Sequence, residues 1–262
     1  MNRIVHYFLV ACVACMLVGC ASVRAPQTVA TFVSTGAPPV DAWARVLEKY
    51  VDAEGRMNFS ALAKDRTDLD RFVSYVYATG PNNRPDLFPT RQHVLAYHIN
   101  AYNALAMYKV IEVGIPQTNA GFRKVGFFYF GKVMVGGVAF SLYDYENKVI
   151  RGLGDPRVHM ALNCMAVSCP RLPREVFLPE TLDAQLDRET RSFFNEARNV
   201  AFDATTKMVK LSAILDFFTG DFLVNSPSLV GFVNQYRDQK IPDDAKVEFF
   251  DYDWTINRQP GT

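Results

Sequence analysis

Between Asp155 and Leu172 the chain reads Asp-Pro-Arg-Val-His-Met-Ala-Leu-Asn-Cys-Met-Ala-Val-Ser-Cys-Pro-Arg-Leu, with His159, Asn163, Cys164, Ser168 and Cys169 framed by Pro156 and Pro170. A thiolate attacks an acyl carbon, an imidazole moves the proton and a carboxamide orients the pair, so these residue types suit thiol-dependent hydrolysis or acyl transfer. Cys164 is the candidate nucleophile and His159 the candidate base. Asn163 or Asn100 is the orienting amide, and Glu146 a partner for the imidazole. Backbone amides near Cys169 are candidates for an oxyanion hole.

Spacing raises an objection to a simple helical site. On one continuous helix, residues 159 and 164 project about 140° apart, so direct contact requires a chain break between them, or else His98 as the base. The same geometry sets Cys164 and Cys169 roughly 7.5–8.5 Å apart at Cα, beyond disulfide reach. Pro170 disfavours helix in the residue before it. If the chain turns there, a Cys164–Cys169 disulfide becomes feasible, and the domain reads instead as a non-catalytic binding or scaffolding module. A zinc site from His159, Cys164, Cys169 and His98 has suitable ligand types but no familiar spacing, and no metal or other cofactor is expected.

The elements that must position these groups follow from periodicity. The strongest helix is expected from Thr90 to Val113, with Thr90 as its cap, Gly114 after its end, and His98, Asn100 and Asn103 embedded among aromatic residues. Further helices are expected from Asp41 and over 68–78, 142–152 and 179–199, the last as a solvated outer helix. Two more should follow Ser212 and either Ser226 or Ser228. Gly136-Gly137 marks a hairpin turn, Val200 to Leu211 a second hairpin, and Lys246 to Trp254 a late strand. The Phe127–Phe130 run beside Arg123 and Lys124 reads as a buried strand end, or else as a binding lip or a membrane-dipping edge. The sum is a single α+β, helix-rich domain with short, mainly antiparallel strands, of the kind papain-like and transglutaminase-like folds carry.

The N-terminus bounds the compartment. Arg3 precedes an apolar stretch from Ile4 to Leu17, too short for a bilayer span and suited to a signal peptide. Its end, Leu17-Val18-Gly19-Cys20, resembles the lipobox of bacterial lipoproteins. That resemblance implies cleavage after residue 19, lipid on Cys20 and stable membrane anchoring. Residues 1–19 are then a signal peptide, 20–39 a lipidated cysteine with a flexible tether, and 40–262 the globular domain. Ala21 after the lipidated position favours the outer membrane, facing the periplasm, over inner-membrane retention. The whole chain has 28 basic and 27 acidic residues, a balance that gives no footprint for nucleic acid. The expected partners are the membrane through Cys20 and an envelope substrate or protein.

Several stretches together resemble the domain-of-unknown-function 547 family. They are Ile99-Asn100-Ala101-Tyr102-Asn103-Ala104-Leu105, Phe140 to Glu146, Asp155 to Cys164, Ser168-Cys169-Pro170 and Asp251-Tyr252-Asp253-Trp254. The resemblance spans roughly residues 45–257 and implies an architecture more than an activity. Two positions depart from the family pattern: His98 stands where an aromatic precedes Ile-Asn, and Met165 where a small residue follows the first cysteine.

Overall fold

The computed structural model describes residues 38–262. The signal-like segment, Cys20 and the tether as far as residue 37 lie outside the described residues. Three helices, α1 (Val40–Tyr50), α2 (Phe59–Lys64) and α3 (Thr67–Ala78), lead into the long helix α4 (Arg91–Glu112). The Thr90 side chain caps α4 by accepting the His93 amide hydrogen. From Leu95 to Val110 every residue of α4 is buried, polar ones included. A helix enclosed on all sides is the axis of a core rather than its cover. Trp43 of α1, Phe72 of α3 and Tyr145 pack into the same hydrophobic cluster.

His98 shows what that enclosure does to a titratable group. Its Nδ1 lies 2.7 Å from the Tyr145 hydroxyl, its ring packs edge-on against Tyr97 and Tyr145, and burial lowers its pKa to about 4. Lys109 is buried on the same helix at 1% exposure. Its Nζ donates to the carbonyls of Phe127 and Gly131, and a Cβ on Gly131 would come within 2.6 Å of that nitrogen. The close approach explains the glycine. It also pins the next segment, α5 (Phe122–Lys124), which continues in wider turns over Val125–Phe130. The Phe127–Phe130 run is therefore helical rather than a strand end, with Phe127 and Phe128 turned inward.

Strands β1 (Lys132–Val135) and β2 (Val138–Ser141) form the expected antiparallel hairpin. Gly136 and Gly137, at φ 57° and 80°, make its turn, a conformation that glycine adopts without steric cost. Ser141 caps α6 (Leu142–Asp144), which continues through wide turns to Ile150 and a tight turn to Leu153. After a single 3-10 segment, Pro156–Met160, the chain leaves helical geometry and stays irregular through both cysteines.

Helix α7 (Leu182–Asn195) is not merely a solvated outer helix. Gln185, Glu189 and Thr190 are buried, and Glu189 is held by Arg171 and Arg188, so its charge is paired rather than hydrated. A second apolar cluster surrounds Phe194, Leu211 and Phe222. It forms where α7 meets β3 (Val200–Asp203), β4 (Met208–Leu211), the short helices α8 (Ala213–Phe217) and α9 (Thr219–Phe222), α10 (Leu229–Tyr236) and β5 (Lys246–Phe249). Ser228, not Ser226, caps α10. β3 and β4 pair antiparallel as expected, whereas β5 joins β4 in parallel. The chain is thus helix-rich α+β with two small sheets.

Two expected outcomes test this core. Lys109→Met keeps the volume but leaves two buried carbonyls without a donor, and should lower unfolding free energy in urea by roughly 2–4 kcal/mol. His98 binds a proton in the unfolded chain below its ordinary value of 6.5 but in the folded chain only below about 4. Its contribution is therefore complete above the first value and lost as pH falls toward the second, a loss of roughly 3 kcal/mol in all. His98→Gln, which does not titrate, should flatten urea midpoints between these limits. Parallel profiles for the two proteins would show that His98 does not report the acid step.

Candidate functional site

The site begins with a hydrogen-bond exchange between two carboxamides. Asn103 of α4 donates from Nδ2 to the Ala161 carbonyl at 2.9 Å, and its Oδ1 accepts the Asn163 amide hydrogen at 2.7 Å. Asn163 then donates to the Pro170 carbonyl and accepts from the Met165 amide, both at 2.7 Å. The first asparagine fastens the chain to the core, and the second closes residues 163–170 into a loop. Met165 takes φ 67° there, a left-handed backbone that L-residues with a Cβ adopt at a cost of about 1–2 kcal/mol.

Inside this loop the two sulfurs meet. Neither cysteine is disulfide-bonded, and Cys164 Sγ lies 2.8 Å from Cys169 Sγ. The Cys164 amide donates to the Cys169 sulfur at 3.1 Å. The C-terminal segment completes the enclosure. Val167 and Ser168 amides donate to the Thr255 and Asp253 carbonyls, and the Asp253 amide donates back to Ser168 Oγ at 2.8 Å. These bonds lay Tyr252 across the pair, its hydroxyl 3.4 Å from Cys164 and 3.2 Å from Cys169. The Asp-Tyr-Asp-Trp motif thus clasps the cysteine loop.

The two thiols titrate as a unit. For Cys164, the hydrogen bond it donates to Cys169 and then burial hold the pKa well above the ordinary thiol value. Burial also pushes Cys169 upward, but the Cys164 thiol and the Tyr252 hydroxyl outweigh it and bring that pKa down. Negative charge therefore gathers on Cys169 while Cys164 keeps the proton. Cys164 is half-buried and Cys169 fully so.

Across a cavity of about 360 Å³ from the sulfurs stands a second charged group. His159 is buried, and its Nε2 lies 2.8 Å from Asp221 Oδ2. Its ring stacks on Phe218 at 4.1 Å between centroids. Arg151 grips the same carboxylate with two hydrogen bonds, at 2.7 and 2.8 Å. Burial raises the Asp221 pKa, yet the bonds from Arg151 and His159 prevail and hold it well below the usual carboxylate range. With Asp221 bound to Nε2, Nδ1 is the ring's remaining polar atom. That atom is buried and has no hydrogen-bond partner. Glu146 lines the same cavity and accepts from the Tyr102 hydroxyl at 2.9 Å. Burial raises its pKa against the pull of His159 and Arg151.

The fold thus brings His159, Cys164, Cys169 and Glu146 to one hollow without a hydrogen bond between imidazole and sulfur. The carboxylate on the imidazole is Asp221, not Glu146. Asp221 escapes sequence reading because it lies 62 positions from His159, on a short helix whose sequence carries no motif. His98 is held by Tyr145 within the core and does not line the cavity. Asn100 is saturated: it accepts from Trp43 Nε1 and the Phe177 amide, and donates to the Ala96 and Phe177 carbonyls. It joins α1, α4 and the 177 strand of chain rather than facing the cavity. The amides of Cys164 and Cys169 are already committed, to Cys169 Sγ and the Ala166 carbonyl, so they form no open oxyanion hole. Among the described residues no group of three or more His, Cys, Asp or Glu is placed to hold a metal ion.

Among the described residues no helix is long and apolar enough to cross a membrane. Neither the curated proteins nor the solved structures provide a match to this chain. Residues 87–194 match the family model described as "Protein of unknown function, DUF547", a shorter span than the motif resemblance but one that contains Asn103, His159 and both cysteines.

Proposed function

We propose that this chain is a thiol-dependent hydrolase or acyltransferase of the bacterial envelope, tethered through lipid on Cys20 and facing the periplasm from the outer membrane. The observation that carries the reading is the hydrogen-bonded Cys164–Cys169 pair, which shares a cavity with a buried imidazole whose Nδ1 is unpartnered. Cys164, the less buried residue of the pair, lines the cavity and meets the acyl carbon. As its sulfur–carbon bond forms, its proton crosses the 2.8 Å contact to Cys169. The bond to the leaving group breaks, and Cys169 passes that proton to the group as it departs. His159 Nδ1 then takes a proton from water as the water attacks the thioester, and gives it to the Cys164 sulfur as the sulfur–carbon bond breaks, which releases the acid and restores the thiol. Asp221 stabilises the imidazolium formed in that step. The Tyr252 hydroxyl is the donor nearest the sulfurs that can turn toward an oxyanion. In acyl transfer an acceptor nucleophile replaces the water.

A second reading rests on the same sulfur contact. An external disulfide could oxidise the pair by exchange: each protein thiol gives up a proton and one electron, and the incoming disulfide is reduced to two thiols. The product, a Cys164–Cys169 disulfide inside a loop already closed by Asn163, suits a binding or scaffolding lipoprotein with no thiol catalysis.

Reduced full-length protein mixed with p-nitrophenyl acetate should release a burst of nitrophenol equal to the enzyme concentration, with the acetyl group mapped to Cys164. Cys164→Ser should abolish the burst. His159→Gln should leave acylation and slow thioester hydrolysis by about 10²–10⁴-fold. Acylation should weaken below the Cys169 pKa, as that thiolate takes up its proton. Protein isolated from the periplasmic side with a complete Cys164–Cys169 bond, and no burst after reduction, would reject catalysis in favour of the second reading.

A further inference from the structure

The segment from Gly121 to Phe130 has a face that the thiol chemistry leaves unused. Phe122 is 96% exposed, Phe130 62%, Tyr129 42% and Val125 40%. Their spacing of three, four and one residues sets them on one side of the turn, while Phe127 packs over Lys109 and Phe128 against Trp254 on the other. Tyr143 stacks on Tyr129 at 4.6 Å and is itself exposed, which widens the apolar face. Large apolar side chains gathered at this level of exposure mark an interaction surface.

Along the segment itself the charges are of one sign, and the carboxylate at its rim, Asp144, is paired with Lys148 and lies close to Lys132. No Asp or Glu occurs between Glu112 and Asp144, whereas Arg123, Lys124 and Lys132 do. Arg123 and Lys132 are exposed, and Lys124 Nζ rests 4.1 Å from the centre of the Trp254 ring. Aromatic side chains beside cations, with no carboxylate in the segment itself, match the headgroup boundary of an anionic bilayer, where each basic residue strengthens binding about five-fold. A protein partner of matching chemistry would need its own acidic, apolar groove, whereas the bilayer needs no such complement.

We infer that residues 121–130 form a lip that docks on an anionic phospholipid bilayer, with Phe122, Val125, Tyr129 and Phe130 entering the headgroup region. The inference does not depend on the thiol reaction. It does bear on access to the cavity, because Lys124, Phe128 and Tyr129 of the same segment line it. Docking brings its mouth within reach of the lipid surface.

The test uses the full chain reconstituted into vesicles with brominated acyl chains, made of phosphatidylcholine alone or mixed equally with phosphatidylglycerol. The chain has two tryptophans, so Phe122→Trp in a Trp254→Phe background leaves buried Trp43 as the only other indole. Emission from position 122 should fall at least about two-fold in the anionic vesicles, as expected for side chains seated at the headgroup–acyl boundary. The fall should be much smaller in neutral vesicles and should vanish with Arg123→Glu and Lys124→Glu. A Ser60→Trp reporter on α2 in the same background should be unquenched in both. No quenching at 122, equal quenching in both lipids, or equal quenching at 60 would overturn the proposal. A higher oligomer without quenching would assign the face to protein contact and overturn it as well.

Discussion

The site depends on a hydrogen bond buried in the middle of α4: the Asn103 carboxamide meeting the backbone of residues 161–163. An asparagine in a helix interior is unfavourable by propensity, and one buried without partners costs more. Here both ends of the carboxamide are used on the loop that follows the 3-10 segment. The backbone is therefore held where it could not make a helical bond. Asn163 repeats the device one step outward, and the two sulfurs converge because their loop is closed on both sides. Tertiary hydrogen bonds, not local propensity, set the sulfur-to-sulfur distance.

Around that loop the protein places two proton-holding centres and keeps them apart. The thiol pair lies beneath Tyr252, and the imidazole–carboxylate pair lies beneath Phe218 and Arg151. Each is internally satisfied except for one buried nitrogen, His159 Nδ1. Burial opposes charge at both centres, and in both the hydrogen bonds outweigh it, at Cys169 and at Asp221. A base already in contact with sulfur would serve to deprotonate it. An imidazole set across a cavity from a dithiol is better placed to meet water or a departing group, and the proposed reaction accordingly leaves sulfur activation to Cys169.

The lip and the cavity are built on shared supports. Lys109 holds the carbonyls of Phe127 and Gly131, so the same helix that carries Asn103 also fixes the aromatic segment at the mouth. Movement of α4 would disturb the dithiol loop and the lip together. This couples an outward-facing apolar surface to an inward-facing polar site through one rigid element.

Much of the chain was legible in the residues themselves. Thr90 and Gly114 bracket α4, and Gly136-Gly137 turns a hairpin because its backbone needs positive φ. The reactive types around 159–169 also stood out, because local patterns report local geometry. What the order of residues left open is which groups face one another. Asp221 carries no signature linking it to His159, the Asp-Tyr-Asp-Trp tail gives no sign that its tyrosine covers two sulfurs, and Lys109 reads as an ordinary helical lysine. A one-dimensional pattern determines caps, turns and buried faces because these depend on neighbours within a few positions. Contacts between groups 60 to 90 positions apart depend on how α4, the irregular loop and the C-terminal strand pack. Only tertiary structure decided that the imidazole takes Asp221, that the two sulfurs meet beneath Tyr252, and that His98 and Asn100 serve the core.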